Sequence, residues 1–390
     1  MKKFLSAALI VGSLFAASPA EAEIKNYDGV GEYIMSDFET PDVAKQRAKM
    51  YAERNACEKA GVYVKSYSRT ENFELVADEI ESMTSGVLKV ISVEFKMVPM
   101  EEYGGIMYRA TIVAEIDSAS IDEWLSRSKL QRESLVEQNR ELQRQLDEQE
   151  RKIAELKEEA AKSKNPETTE KLKREFAQAD KDFMSTLKLE EGNRYVRVHA
   201  DWAYDKAEQY WTEAIELNPN NAPAYEARGY YYLYYTKNYP AGIADYTRAI
   251  ELHPGVADNY FYRGLCLSES GDADSAKIDF EMALRLNPNM SGALSELAFY
   301  YVSRDPLSTF DFAERALALD ERNWRALYSR GLAFYNMHNY EAALKDGLRA
   351  LELGCGGDAY QLIGDCYGML GLRDEAEKYW ELAKNPPAYG

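Results

Sequence analysis

A motif with a period of about 34 residues repeats through the C-terminal half of the sequence and restricts the folds open to it. The stretch Ala257–Pro288 shows the motif most clearly, as a small residue, an alanine, an aromatic residue, a second alanine and a proline: Gly264, Ala276, Phe280, Ala283 and Pro288. Small side chains at a helix crossing let two backbones approach closely, and the ring fills the space beside them. Proline ends a helix because it has no N–H to donate. The motif therefore predicts a pair of short antiparallel helices.

The motif recurs on both sides of this stretch. The upstream copies are marked by Ala207, Trp211, Ala214 and Pro219, and by Gly229, Gly242, Tyr246, Ala249 and Pro254. The downstream copies are marked by Ala298 with the helix Phe310–Leu319, by Gly331, Ala343 and Ala350, and by Gly364, Ala376, Trp380 and Ala383. In the first copy, Tyr195 is expected at the glycine position. The sequence thus predicts about six units over residues 187–386.

On these residues the C-terminal half resembles tetratricopeptide repeat proteins, which implies an all-α solenoid of stacked helix pairs. The resemblance also implies a concave face lined by the first helix of each pair. The inward positions, counted from each glycine, are Glu226, Tyr230, Tyr234, Asp258, Phe261, Phe299, Arg325, Tyr328 and Tyr335. Aromatic residues suit an interface, and the acidic character favours a mildly basic or apolar peptide or protein partner. Alternatively, a share of these aromatic residues packs between repeats.

Residues 23–120 predict a small α+β domain with a mainly antiparallel sheet. The expected elements are a strand Asn26–Met35, a helix capped by Thr40 and ended by Gly61, a strand Val62–Phe73, a short helix Leu75–Met83, and strands Val87–Val98 and Ile106–Ile116 joined around Glu101–Gly105. The long helix carries a face of mostly small residues suited to lie on a sheet: Ala44, Ala48, Tyr51, Ala52, Asn55, Ala56 and Ala60.

This domain is similar to the N-terminal domain of the bacterial flagellar assembly protein T and related outer-membrane lipoproteins. The similarity lies in Gly29 and Gly31, in the alanine-rich helix ending at residues 60–64, and in residues 71–92 with the Ser85-Gly86 turn. It implies an envelope domain that docks other proteins. The alternative is an unrelated α+β domain.

Residues 121–164 predict a coiled coil through which the chain self-associates. One core position of the heptad falls on Leu125, Arg132, Asn139, Leu146, Ile153 and Ala160, and the other on Ile121, Ser128, Leu135, Leu142, Gln149 and Leu156. The alternative is a single solvated helix held by charge pairs. Asn165-Pro166 breaks this helix, and a linker helix is expected over residues 165–186.

The first 22 residues predict a secretory signal peptide. Lys2 and Lys3 precede the apolar run Phe4–Ala17, and Ala20 and Ala22 form a cleavage site. The run is too short for a transmembrane anchor, although a buried first helix is an alternative. We therefore expect export to the periplasm of a diderm bacterium or to the exterior.

The net charge and the motifs of the sequence limit which classes of function remain possible. A net charge of −19 argues against nucleic acid as a partner. The cysteines, Cys57, Cys266, Cys355 and Cys366, are scattered, and no metal-ligand or catalytic motif is recognisable. We expect a non-enzymatic interaction scaffold without cofactor or metal. The alternatives are an accessory factor of a flagellar or secretion machine, and a cell-wall hydrolase using Asp/Glu pairs of the N-terminal domain.

Overall fold

The computed structural model describes residues 23–70, 73, 75–100, 105–163, 165–196 and 201–385. It divides into two compact units, Met1–Phe183 and Met184–Gly390, and each is considered by itself. The predicted signal peptide, residues 1–22, lies outside the described residues. Across the described ranges, every helix is either too short or too polar to cross a bilayer.

The first unit contains a three-stranded antiparallel sheet, as the sequence predicted, although with one strand fewer. Its strands are β1 (Ile24–Met35), β2 (Lys89–Met100) and β3 (Gly105–Asp117), in the order β1-β3-β2. β1 and β2 are therefore the edges of the described sheet. The turn between β2 and β3, predicted at Glu101–Gly105, falls largely outside the described residues.

Helix α1 (Pro41–Thr70) packs on this sheet through its small residues. Thr40 caps it as predicted, since its Oγ1 accepts from the Val43 N–H at 3.4 Å. The alanines on the sheet side are fully buried: Ala44, Ala48, Ala52 and Ala56. A Cβ built at Gly31 would lie 2.2 Å from the Ala48 carbonyl oxygen, so only glycine permits this approach. The predicted small-residue face is confirmed.

The predicted end of α1 at Gly61 is wrong, and so is the predicted strand Val62–Phe73. The helix continues to Thr70 because Val64 and Ser68 are buried at helical spacing after Ala60. Gly61 is tolerated inside the helix where α1 meets α2 (Ala77–Val87), whose Ile80 lies 3.7 Å from the position of a Cβ. The tertiary contact outweighs the weak helix propensity of glycine.

Three further helices follow: α3 (Ser118–Ser126), α4 (Lys129–Lys162) and α5 (Pro166–Val196). The break at Asn165-Pro166 is confirmed, but the helix after it extends beyond residue 186. Ile153 and Leu156, which the heptad placed in a coiled-coil core, instead pack on Leu172, Phe176 and Ala179 of α5. The long helix is therefore observed and the coiled coil is not confirmed. Self-association through residues 121–164 stays a prediction.

A buried charge cluster joins the elements of the first unit. Arg47 of α1 pairs with Glu39, and its Nη1 lies 3.4 Å from Asp180 Oδ1 of α5. Lys157 Nζ of α4 lies 3.3 Å from Glu39 Oε2, and the Tyr33 hydroxyl donates to Glu39. Opposite charges in contact offset part of the free energy that burying each of them costs. The cluster therefore fixes α4 and α5 against the start of α1.

The charge cluster predicts a pH-dependent stability. Burial raises the pKa of Asp180 from 3.8 to about 6, with Arg47 opposing the rise and Glu39 adding to it. Between these values the folded chain keeps a proton that the unfolded chain has released, so the stability contributed by Asp180 falls as the pH rises. Hydrogen exchange in α1, corrected for intrinsic rates, should show the wild type losing stability relative to Asp180→Asn between about pH 4 and pH 6.

The variant Asp42→Asn provides the control, because Asp42 is exposed on the same helix. The difference in stability between Asp42→Asn and the wild type should not change with pH in the way expected for Asp180→Asn. Parallel pH profiles for the wild type and Asp180→Asn would contradict the assignment.

The second unit consists of antiparallel helix pairs. Its helices are α6 (Asp201–Leu217), α7 (Ala222–Tyr234), α8 (Tyr239–Leu252), α9 (Ala257–Glu269), α10 (Ala273–Leu286), α11 (Ser291–Tyr301), α12 (Pro306–Leu319), α13 (Trp324–Asn336), α14 (Tyr340–Glu352), α15 (Gly357–Met369) and α16 (Arg373–Lys384). The pairs α7–α8 through α15–α16 follow the predicted repeats, and the end of α5 pairs with α6 before them. The predicted repeat array is confirmed.

A glycine set against an aromatic ring closes several of these pairs. A Cβ built at Gly264 would lie 2.6 Å from Cε1 of Phe280, and one at Gly364 would lie 2.6 Å from Cδ1 of Trp380. In the first pair the glycine is Gly192, against Trp211, so the expectation of Tyr195 at this position is wrong. The sequence between the glycine and the ring is longer in this pair, which shifts the position along α5.

An arginine–aspartate pair, which the sequence analysis did not identify, links the two helices of three repeats. Each guanidinium makes two hydrogen bonds of 2.7–2.8 Å to one buried carboxylate, in Arg228–Asp245, Arg263–Asp279 and Arg330–Asp346. Such a two-point contact fixes orientation as well as distance. In α11–α12, Leu297 and Phe312 pack in one apolar cluster instead. An ion pair in three repeats and an apolar contact in α11–α12 therefore stabilise the same arrangement of the two helices.

The close approach in α9–α10 predicts that Gly264→Leu destabilises the second unit by about 3 kcal/mol, because the side chain would overlap a fixed ring. Leucine favours helix, so backbone propensity cannot account for such a loss. The control is Gly255→Leu, since a Cβ built at Gly255 meets nothing within 4 Å. Urea unfolding measures both variants, and equal stabilities would refute the packing account.

Candidate functional site

The first helices of successive repeats lie side by side. Helix α7 contacts α9, α11 contacts α13, and α13 contacts α15. Polar contacts reinforce two of these steps: Asn259 Nδ2 donates to Glu226 Oε1 at 2.7 Å, and Arg325 forms an ion pair of 2.8 Å with Glu296. The predicted site residues therefore belong to consecutive, adjoining helices. We call the face that carries them the first-helix surface: Glu226, Tyr230, Tyr234, Asp258, Phe261, Phe299, Arg325, Tyr328 and Tyr335.

Three aromatic side chains of this surface are open to solvent. Tyr230, Tyr234 and Phe299 are 42%, 48% and 40% exposed. The rings of Tyr230 and Tyr234 lie 4.5 Å apart, and Tyr262 of the next repeat meets Tyr230 edge-on at 5.7 Å. Large exposed rings that touch one another form a contiguous apolar area, which is typical of binding surfaces.

The other three aromatic positions take part in packing. Phe261 lies 6.0 Å from Phe280, and Tyr328 is half-buried among the apolar residues of α13 and its neighbours. Tyr335 meets Tyr340 edge-on at 5.4 Å. For these three, the alternative role in packing between helices is the one observed. Contact with a partner stays a prediction for them.

Phe299 has a cation above its ring. The Arg325 guanidinium lies 4.4 Å from the ring centroid and pairs with Glu296, which is buried. Burial raises the pKa of the Glu296 carboxyl, and the charge of Arg325 opposes that rise. The arrangement shows that this surface can hold a guanidinium between an aromatic face and a carboxylate.

The charge of one repeat influences a hydroxyl group two repeats away on this surface. Burial raises the pKa of the Tyr234 hydroxyl, and the negative charge of Glu296 contributes to the rise. Tyr234 belongs to α7 and Glu296 to α11, so a whole repeat separates them along the chain. The negative charge of this surface therefore acts across more than one repeat.

Carboxylates dominate the charge on this surface. Asp258 is exposed, and so are Glu269 and Asp358 on the first helices α9 and α15. Arg325 supplies positive charge, but Glu296 pairs with it. The surface therefore offers negative charge beside aromatic rings, which suits cationic or apolar side chains.

Sequence reasoning missed three residues that shape this surface: Asn259, Tyr262 and Glu296. Asn259 and Glu296 are buried polar side chains within helices, which is an unusual place for them unless a partner is near. Their burial is seen only in the structure, so the sequence alone gave no signal that selects them. Tyr262 follows Phe261 directly. Counting from the repeat's glycine placed Phe261, but not Tyr262, on the inner side of the helix.

The cysteines and acids of the described residues do not form a metal site. Within those residues, no group of three or more His, Cys, Asp and Glu side chains is placed to hold an ion. Cys266, Cys355 and Cys366 are buried free thiols. Burial raises the pKa of Cys266 and of Cys366 to about 12, which disfavours the reactive thiolate.

Comparison with known proteins gives a family match inside the repeat array. A tetratricopeptide repeat family matches residues 231–291. Serine/threonine-protein phosphatase 5 of Rattus norvegicus is 33% identical over 118 residues, which cover 30% of this chain and 23% of that protein. Anaphase-promoting complex subunit 3 of Schizosaccharomyces pombe is 24% identical over 175 residues, 44% of this chain and 26% of that protein. The chain thus spans about a quarter of the length of these curated relatives.

Two solved structures are also among those similar to part of this chain. One is YrrB, a TPR protein with an unusual peptide-binding site, at 24% identity and a TM-score of 0.37, covering 46% of this chain and 93% of that one. The other is PilW, a type IV pilus biogenesis factor, at 17% identity and a TM-score of 0.44, covering 53% and 94%. The N-terminal similarity to flagellar assembly protein T stays a prediction. Residues 231–291 of this chain therefore belong to the tetratricopeptide repeat family, and the pairs α7–α8 through α15–α16 repeat the same helix-pair arrangement on both sides of them.

Proposed function

We propose that this chain is an exported, non-enzymatic scaffold that binds a peptide or protein segment on its first-helix surface. The observation that carries the proposal is the exposure of Tyr230, Tyr234 and Phe299 on adjoining first helices. Exposed rings are unfavourable in water, and they offer a large contact area at a small cost in rotamer entropy. A binding role accounts for their positions.

The charges of the surface favour a mildly basic or apolar segment as the ligand. Asp258, Glu269 and Asp358 are exposed on the first helices α9 and α15, and the whole chain carries a net charge of −19. A cationic side chain of the ligand would lie over an aromatic face beside a carboxylate, as Arg325 lies over Phe299 within the chain. Association would then slow as salt screens the attraction.

Export and process belong to the same proposal. The signal-peptide pattern of residues 1–22 supports export to the periplasm or the exterior. The separate α+β domain at residues 23–120 would dock a second envelope component, while residues 187–386 bind the first partner. Within this proposal, an accessory role in a flagellar or secretion machine predicts that components of that machine co-purify with the chain. Co-purification of unrelated proteins alone would contradict this narrower role.

The proposal predicts that Tyr230→Ala/Tyr234→Ala/Phe299→Ala, combined in one chain, loses its partner without unfolding. Losing three exposed rings should weaken binding roughly 10-fold or more, because aromatic residues supply much of the binding energy at interfaces. Crosslinking in cells followed by mass spectrometry would identify the partner with the wild type and measure its loss with the variant. Phe261 and Tyr328 are left intact because they support packing.

A matched control removes exposed apolar side chains from second helices of the array. Ile278, Leu286 and Leu307 are 60%, 40% and 72% exposed on α10 and α12. Replacing these three by alanine should leave the crosslinks unchanged. The proposal fails if the aromatic variant is folded by circular dichroism and keeps every crosslink of the wild type.

A further inference from the structure

The edge strand β2 carries an uncovered apolar row. Val93, Phe95 and Met97 pair with residues of β3 that are buried under α1: Ile112, Ala110 and Tyr108. Cross-strand partners point to the same side of a sheet, so this row faces the α1 side. However, α1 packs mainly on β1 and β3, and it leaves Phe95 38% and Met97 55% exposed. A sheet edge with an apolar row is open to a further strand.

The other side of β2 carries two opposite charges. Glu94 and Lys96 pair with Thr111 and Arg109 of β3, and both are exposed. Neither forms an ion pair with another side chain in the described part of the chain. The strand thus presents a negative and a positive charge, two residues apart, on the side away from α1.

We propose that two copies of this chain associate through β2, antiparallel, about a two-fold axis at Phe95. In this register Glu94 lies opposite the partner's Lys96, and Lys96 lies opposite the partner's Glu94. Val93 meets the partner's Met97, and Phe95 meets its own equivalent. The two sheets become one continuous sheet, and the unpaired backbone groups along the edge gain hydrogen bonds. Each patch complements itself, as a two-fold interface requires.

The charges select this register over its neighbours. A shift by two residues would place Glu94 opposite the partner's Glu94, or Lys96 opposite the partner's Lys96. Like charges directly opposite one another destabilise a strand pair. The limits of the strand select the same centre, because regular pairing is interrupted between Val90 and Ser92 and the backbone of Pro99 lacks an N–H. Phe95 is the middle residue of the regular stretch between those limits.

The other edge of the sheet lacks this complementarity. Glu32 on β1 is already in an ion pair with Arg109 at 2.6 Å within the same chain. The association through β2 needs neither residues 121–164 nor the first-helix surface. It is therefore independent of the predicted coiled coil and of the proposed binding function.

Charge reversal in the full-length chain tests the interface. Sedimentation equilibrium should show a reversible dimer for the wild type. Glu94→Lys or Lys96→Glu alone converts both cross-strand pairs to repulsion and should weaken the dimer roughly 10- to 100-fold. The double variant Glu94→Lys/Lys96→Glu restores opposite charges and should recover most of the wild-type affinity. Asp28→Lys, a reversal of equal size on the exposed side of β1, should have no such effect.

Phe95→Cys tests the position of the axis separately. Under mild oxidation this variant should form a disulfide with its own copy, while Ile34→Cys on the opposite edge should not. A wild type that is monomeric at all concentrations would overturn the proposal. So would a dimer that both single charge reversals leave intact, since the chains would then associate elsewhere.

Discussion

The architecture of the second unit depends on the closest approach that a helix pair can make. Where Gly264 faces Phe280, or Gly364 faces Trp380, a single added carbon would lie within 3 Å of the ring. The absence of a side chain on one helix and the rigid ring on the other set the distance and rotation of the pair. Because the same contact recurs, successive pairs stack with one orientation, and their first helices become neighbours.

The recurring arginine–aspartate pairs add direction to this contact. A guanidinium and a carboxylate joined at two points fix the angle between helices, whereas an apolar contact such as Leu297 with Phe312 fixes mainly the distance. With the helices held in this way, the rings of Tyr230 and Tyr234 on α7 meet each other, and Tyr230 meets Tyr262 of the next repeat. The exposure that Tyr230 and Tyr234 keep in this arrangement is the basis of the proposed binding.

Sequence reasoning succeeded where the signal is local and repeated. A glycine, an alanine and an aromatic residue at fixed spacing identify a helix pair because the contact between them lies within one repeat. It also found the small-residue face of α1, since Ala44, Ala48 and Ala52 follow one another at helical spacing. For the candidate site, the sequence identified the residues whose rings are exposed and predicted that the surface is acidic.

Sequence reasoning failed where a distant segment decides the outcome. The extension of α1 past Gly61 depends on contacts made by Ala60 and Val64, whose cluster includes Ile116 and Ile121 from much later in the chain. The apolar face of α4 was predicted to pack against a second copy of the chain. The periodicity of Ile153 and Leu156 does not reveal that α5 of the same chain covers them. Likewise, burial of Glu296 becomes interpretable only once Arg325 is seen beside it.

The most direct test of the central claim is site-specific photo-crosslinking in cells. A photo-reactive phenylalanine analogue would replace Tyr234 on the first-helix surface or, as a reference, Leu307 on α12, which is more exposed. If the stacked first helices hold another polypeptide, position 234 gives a discrete crosslinked species and position 307 does not. Equal crosslinking at both positions, or none at position 234, would contradict the account.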